Sequence, residues 1–155
     1  MIAVRVSAAD RTEAEQKHFL VVIDPAHGGS DLGSRFTATS NEKDITLAFA
    51  RRLRTELQSQ NVAARLLRDG DVQLTADQRA IAANTAQPAV FISIHAGLPS
   101  NGVHVFTALL PGQNAGKNNQ LFIPWETAQA ASLARSREIG AKLVDELHRN
   151  GIAAS

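Results

Sequence analysis

An α/β fold is what this sequence predicts: a mostly parallel sheet with helices on both faces. Short β-branched runs alternate with stretches of helical periodicity, the pattern of parallel strands joined by helical crossovers. The first of those runs is a continuous apolar segment of the kind that fills a buried strand. The 155 residues amount to one domain, enough to bury a self-sufficient core.

Residues 1–17 are polar and charged and lack the apolar stretch of a signal peptide, so they are expected to form a poorly ordered lead-in to a domain spanning 18–155. Phe19 to Asp24 reads as the first strand, stopped by Pro25 and by Gly28 and Gly29. A loop carrying Ser30, Asp31 and Gly33 lasts until about Asn41. A helix should follow from about Glu42 to Gln60, with Ile45, Phe49, Leu53 and Leu57 as its apolar stripe and Ala48 beside them. Asn41 is placed as its N-cap, and Glu42 and Asp44 put acids in its first turn.

Val62 to Leu67 is the second strand candidate, ending at the turn signal "RDGD". Thr75-Ala76-Asp77-Gln78 has the form of a capping box and opens a helix to about Ala86. Ala89 to His95 is the third strand, with Phe91, Ser93 and His95 on one face and Ile92 and Ile94 on the other. Gly102 to Thr107 reads as a further strand, and Leu109 to Pro124, rich in Gly, Asn and Pro, as a long loop bordering the groove. The last helix is expected from about Thr127 to Arg149, with Ile139, Leu143 and Leu147 aligned and Asn150-Gly151 as its stop.

Composition narrows the function. Charge is nearly balanced, with 16 Lys and Arg against 15 Asp and Glu, which removes the electrostatic footprint of a nucleic-acid or membrane-surface binder. No apolar run approaches the ~20 residues needed to span a bilayer. Without cysteine there is neither a disulfide framework nor a thiolate metal site.

Parallel strands linked by right-handed crossovers point the same way, so the loops at their carboxyl ends share one edge of the sheet, where α/β proteins bind ligands. His27 lies just past the first strand, His95 closes the third, and Glu42 opens the first helix. Two imidazoles and one carboxylate can therefore meet although they are far apart in the chain. Two His and one Glu, with a fourth position left to water, make a catalytic zinc set. On the residues alone a structural reading stays open beside it: strand-end histidines held by hydrogen bonds, and a first-turn acid favoured by the helix dipole. A phosphate loop has no support, since G-x-x-x-x-G-K-[ST] is absent. His18, His104 and His148 fall outside the cluster, and Ser93 beside His95 is no nucleophile arrangement by itself.

Taken together, "IDPAHGGSDLG", "EKD" at a helix start and "FISIHA" resemble the zinc-dependent N-acetylmuramoyl-L-alanine amidases, the type 3 amidase family of bacterial peptidoglycan trimming. "LLRDGD" with "LTADQRAIAAN", and "IPWETAQ" with "SLARSREIGAKL", continue the resemblance from Phe19 to Leu147. It implies that His27, Glu42 and His95 bind Zn2+ and that the scissile bond joins the lactyl group of N-acetylmuramic acid to L-alanine of the stem peptide. Peptidoglycan or a muropeptide would be the partner, in the periplasm or outside the cell, with no signal peptide in this chain. Asp24, next to the first ligand, is a candidate to brace an imidazole, or else caps the turn before Pro25.

The chain departs from the family in two places. Ala26 stands where a glycine is usual, which is mild if the backbone there keeps negative φ. Family members also carry a catalytic glutamate in a later segment resembling PAVLVELGF, and no such segment precedes Ser155. The expectation is a C-terminally shortened catalytic domain whose general base is unknown; Glu126, Glu138, Asp145 and Glu146 are the acids left after His95. The alternative function is a non-catalytic zinc-containing module that binds peptidoglycan or a partner.

Overall fold

The computed structural model describes residues 19–97, 101–108 and 130–155, with the side chains of the last helix from residue 132 onward. These fall into two compact units: residues 19–97 in one, residues 101–108 and 130–155 in the other. The lead-in, the loop Leu109–Pro124, Glu126 and the proposed helix start at Thr127 lie outside the described residues.

In the first unit the elements run β1 (Leu20–Pro25), α1 (Glu42–Ser59), β2 (Ala63–Leu66), α2 (Ala76–Ala86) and β3 (Val90–Ile94). The strands form one sheet in the order β2-β1-β3 with both pairings parallel. A central strand covered on both faces needs an unbroken apolar run, and β1 supplies it: Val22 and Ile23 are fully buried. Val21 and Ile23 pack with Leu66 and with Ala50 of α1, and Phe19, Leu53, Leu57, Val90, Ile92 and Ile94 close around them. On the opposite face Asp24 forms an ion pair with Arg79 of α2. The two helices thus cover opposite faces of the sheet, as the strand order demands of right-handed crossovers.

The strand and helix positions agree with the sequence reading to within one or two residues, but the packing face of α1 does not. The buried positions of this helix are Glu42, Thr46 and Ala50, followed by Leu53 and Leu57 against the core. Ile45 and Phe49, expected to lead the apolar stripe, are 36% and 59% exposed. Small residues at Thr46 and Ala50 let the helix axis approach β1, and the Thr46 hydroxyl donates to the Ala26 carbonyl at 3.0 Å.

The start of α1 is secured by the preceding loop. Asn41 has the extended backbone of an N-cap, but its side chain makes no cap bond. Instead the Glu42 amide donates to the Ser34 carbonyl at 2.8 Å and that of Lys43 to Leu32 at 3.3 Å, so orphan helix amides bind the loop itself. Past the C-cap Gln60, Asn61 with a φ of 59° closes a pair of bonds, Asn61 to Gln58 and Val62 to Leu57, of the Schellman type.

The capping box of α2 is as expected. Gln78 N–H donates to Thr75 Oγ1 at 3.2 Å and Thr75 N–H to Gln78 Oε1 at 2.9 Å. Thr75→Ala removes half of this exchange and should lower stability by about 1 kcal/mol, read as a shift of the urea midpoint at unchanged slope.

The second unit holds α3 (Ala130–Arg149), closed at Gly151 (φ 73°) by bonds from Gly151 to His148 and from Ile152 to Leu147. Gly102–Thr107, expected as a strand, forms a single parallel bridge between Val103 and Ala154. Among the described residues its partner is the segment Ala153–Ser155, bonded through Val103, Val105 and Ser155, and three residues are too few for a ladder. The segment also packs on α3: a Cβ at Gly140 would stand 3.1 Å from the Thr107 methyl. Glu138 and Glu146 pair with Lys142 and Arg149 along α3, and Asp145 is exposed. His104 bonds Ser155 Oγ and His148 the Ala154 carbonyl.

Candidate metal centre

The site is assembled at the carboxyl edge of the sheet. Ala26, the residue at the first family departure, keeps a negative φ and is 4% exposed; the left-handed backbone begins one residue later, at His27 (φ 62°), and continues through Gly28 and Gly29. The substitution of glycine by Ala26 therefore costs no backbone strain. Past His27 the chain folds back on itself, Gly28 and Asp31 exchanging backbone bonds of 2.9 and 3.1 Å.

That turn brings the Asp31 carboxylate under the His27 ring. His27 Nδ1 lies 2.9 Å from both Asp31 oxygens, and the Gly33 amide donates to Oδ1 at 3.2 Å. The His27 hydrogen bond holds the Asp31 carboxyl below its ordinary range. A carboxylate only accepts, so the Nδ1 that bonds Asp31 carries a proton.

His27 Nε2 faces Glu42 Oε2 at 3.2 Å. Glu42 is 4% exposed, and its four polar contacts are all short. Oε2 also accepts from the Ser34 amide at 2.9 Å. Oε1 stands 3.0 Å from His95 Nδ1 and accepts from the Ala96 amide at 3.1 Å. Burial pushes the Glu42 carboxyl up, but the Ser34 and Ala96 amides, the His95 bond and the His27 charge outweigh it and hold it below its ordinary value. The two imidazoles meet edge to face, ring centres 5.3 Å apart.

The expected trio is thus brought together: one donor atom from each of His27, Glu42 and His95 falls within 4.8 Å of the other two, a set able to hold a metal ion. Each imidazole meets its own Glu42 oxygen, His27 Nε2 standing 3.2 Å from Oε2 and His95 Nδ1 3.0 Å from Oε1, separations comparable to the ~3.3 Å between neighbouring ligands of a tetrahedral zinc. His27 Nε2 facing a carboxylate oxygen calls for a positive charge between the two, supplied by a second ring proton or by a metal ion. The donor set fits a cation.

Asp24 does not brace an imidazole. It is bound by Arg79 across the sheet face, because a residue at the end of β1 points to the α2 side, away from the turn. Asp31 takes the bracing position. Gly33 also belongs to the site: a Cβ there would lie 2.6 Å from His27 Cδ2 and 2.7 Å from Glu42 Cβ. Neither residue has a periodic signal. The hint for Asp31 is its place in "HGGSD", a glycine-rich stretch able to turn back within four residues.

A three-layer α/β unit with two imidazoles and a buried carboxylate converging on its carboxyl edge defines an α/β protein with a candidate mononuclear metal site. The chain belongs to the N-acetylmuramoyl-L-alanine amidase family of type 3, whose model matches residues 21–154. It is similar to the N-acetylmuramoyl-L-alanine amidase AmiA of Escherichia coli, with 39% identity over 77 residues, 50% of this chain and 27% of that protein. The amidase AmiC of Neisseria meningitidis is 26% identical over 84% of this chain and 38% of its own. Among solved structures, the catalytic domain of CwlV, an N-acetylmuramoyl-L-alanine amidase from Bacillus (Paenibacillus) polymyxa, superposes with a TM-score of 0.51 at 31% identity, covering 58% of this chain and 55% of that one. The chain spans well under half the length of these two curated relatives. No helix among the described residues is long and apolar enough to cross a membrane.

Proposed function

We propose that this protein hydrolyses the amide between the lactyl group of N-acetylmuramic acid and L-alanine of peptidoglycan stem peptides, in the periplasm or outside the cell, with Zn2+ held by His27, Glu42 and His95. The observation that supports this most is the convergence of one donor atom from each of His27, Glu42 and His95 within 4.8 Å of the others, in a chain whose family is that of N-acetylmuramoyl-L-alanine amidases. Bound zinc would supply Lewis acidity to an amide carbonyl and to water. The protein's own part is to keep three donors in place. Asp31 fixes the His27 tautomer and ring angle, as acceptors behind metal-binding imidazoles commonly do. The Ser34 and Ala96 amides hold the carboxylate of Glu42 ionised and immobile, and His95, with its side chain 64% exposed, leaves the approach to the site open.

Purified peptidoglycan incubated with the zinc-loaded protein should release stem peptides bearing a free L-alanine amino terminus, and chelation should stop the release. Binding of peptidoglycan without release would favour a non-catalytic zinc module. Asp31→Ala should weaken zinc binding by about 10–100-fold in a chelator competition, with little change in the unfolding of the metal-free protein, since the Asp31 side chain is half exposed.

A further inference from the structure

We infer that Arg68 and Arg79 are positioning residues for the metal site, acting through the backbone of the segment that carries His27; the inference rests on the metal-binding reading above. Where β1 leaves the sheet, three successive carbonyls, those of Pro25, Ala26 and His27, are all taken by these two guanidinium groups. Arg68 Nε donates to Pro25 at 2.9 Å and Nη2 to Ala26 at 2.9 Å. Arg79 Nη2 donates to His27 at 3.0 Å and Nη1 to Pro25 at 3.3 Å, while also pairing with Asp24.

Arg68 reaches further. Its Nη2 also donates to the Lys43 carbonyl at 2.9 Å. One planar fork therefore ties the residue before His27 to the residue after Glu42, the two segments that deliver adjacent ligands. Arg68 is 3% exposed, and among the described residues no carboxylate lies within 4.0 Å of it. A buried cation is expensive unless its donors are all used. Here they are used on backbone carbonyls that a rigid, multi-donor guanidinium can serve together and an ammonium cannot.

The backbone being held is one that needs holding. His27 adopts φ 62°, a left-handed conformation that a non-glycine residue keeps only when its surroundings over-determine it. A relaxation at this point would swing the ring off the Asp31 and Glu42 contacts at once. Both arginines come from the connection after β2, in "LLRDGD" and "LTADQR", so that connection acts as a brace for a ligand on another strand. A merely structural role would be different: the arginines would neutralise buried carbonyls, and their loss would cost stability while the folded protein kept its metal affinity.

The test measures zinc affinity by chelator competition and the visible d–d spectrum of the cobalt-loaded protein, alongside melting of the metal-free form. Arg68→Lys and Arg79→Lys should each weaken zinc binding by about 10–100-fold, the usual effect of losing an outer support, and change the cobalt bands. Leu57→Ala, about four turns along α1 from Glu42, should melt earlier yet keep wild-type affinity and spectrum. Arg79→Lys carries the test if Arg68→Lys fails to fold. Arginine variants that only melt earlier, with metal affinity and spectrum unchanged, would overturn the inference. A wild-type protein that takes up no zinc would overturn the metal-binding reading itself, and this inference with it.

Discussion

Glu42→Gln is expected to abolish zinc retention while leaving the domain folded. The glutamate is buried at the first turn of α1, with each carboxylate oxygen shared between one imidazole and one backbone amide. Glutamine keeps the shape but has a single acceptor oxygen, so either the Ser34 or the Ala96 amide loses its partner. That should cost about 1–3 kcal/mol in the metal-free protein, well inside the 5–15 kcal/mol typical of a domain. The loss to the metal is larger, because the anionic ligand itself is gone rather than its support. Zinc affinity should fall by more than the ~100-fold that outer-shell losses reach. Atomic emission after dialysis should find wild type near one zinc per chain and the variant nearly empty, with matching far-ultraviolet circular dichroism. A variant that retains stoichiometric zinc would remove Glu42 from the ligand set.

Gly33→Ala should damage fold and site together. At φ 64° an alanine is in the left-handed region, at a cost of about 1–2 kcal/mol. Its methyl would also stand 2.6 Å from His27 Cδ2, 2.7 Å from Glu42 Cβ and 2.8 Å from Glu42 Oε2. Those neighbours cannot withdraw freely, since Asp31 pins one and two backbone amides pin the other. Either the loop opens or the ligands part. We expect a loss of about 2–4 kcal/mol in urea unfolding, combining that conformational cost with a displacement comparable to overpacking, and zinc binding weakened at least as much as in the Asp31 variant. Wild-type stability and affinity would mean that the loop turns elsewhere.

Much of this site could be read from the chain because its parts sit at element ends. A β-branched run stopped by Pro25 and glycines, and another stopped at His95, place two histidines on one edge once the sheet is parallel. Glu42 joins them because a helix start after a parallel strand lies on that same edge. What escaped has equally physical reasons. The stripe Ile45–Phe49–Leu53–Leu57 steps by four, and a 3.6-residue helix turns ~40° too far at each such step. The line that stays on the sheet shortens one step, Glu42–Thr46–Ala50–Leu53–Leu57, and runs through small and polar residues that no hydrophobic pattern marks.

Asp24 is the brace expected from the sequence, while Asp31, four residues past His27, reads only as part of the loop. Only the left-handed turn at His27, Gly28 and Gly29 decides that the later acid returns to the ring while the earlier one crosses to Arg79. Likewise the carbonyls held by Arg68 belong to a partner 42 and 43 residues away, a pairing that no local pattern encodes. Gly102–Thr107 has the composition of a strand, but pairing needs a neighbour of sufficient length, and among the described residues it pairs with Ala153–Ser155 alone.

X-ray absorption at the zinc edge of the loaded protein tests the central claim most directly. Two imidazoles and one carboxylate predict a shell of light N and O ligands near 2.0–2.1 Å, with outer-shell scattering from two imidazole rings. His27→Ala and His95→Ala, measured without dialysis at concentrations that still load the weakened site, should each reduce that scattering to one ring. An outer shell with no imidazole, or one untouched by both substitutions, would place the ion elsewhere and contradict the account.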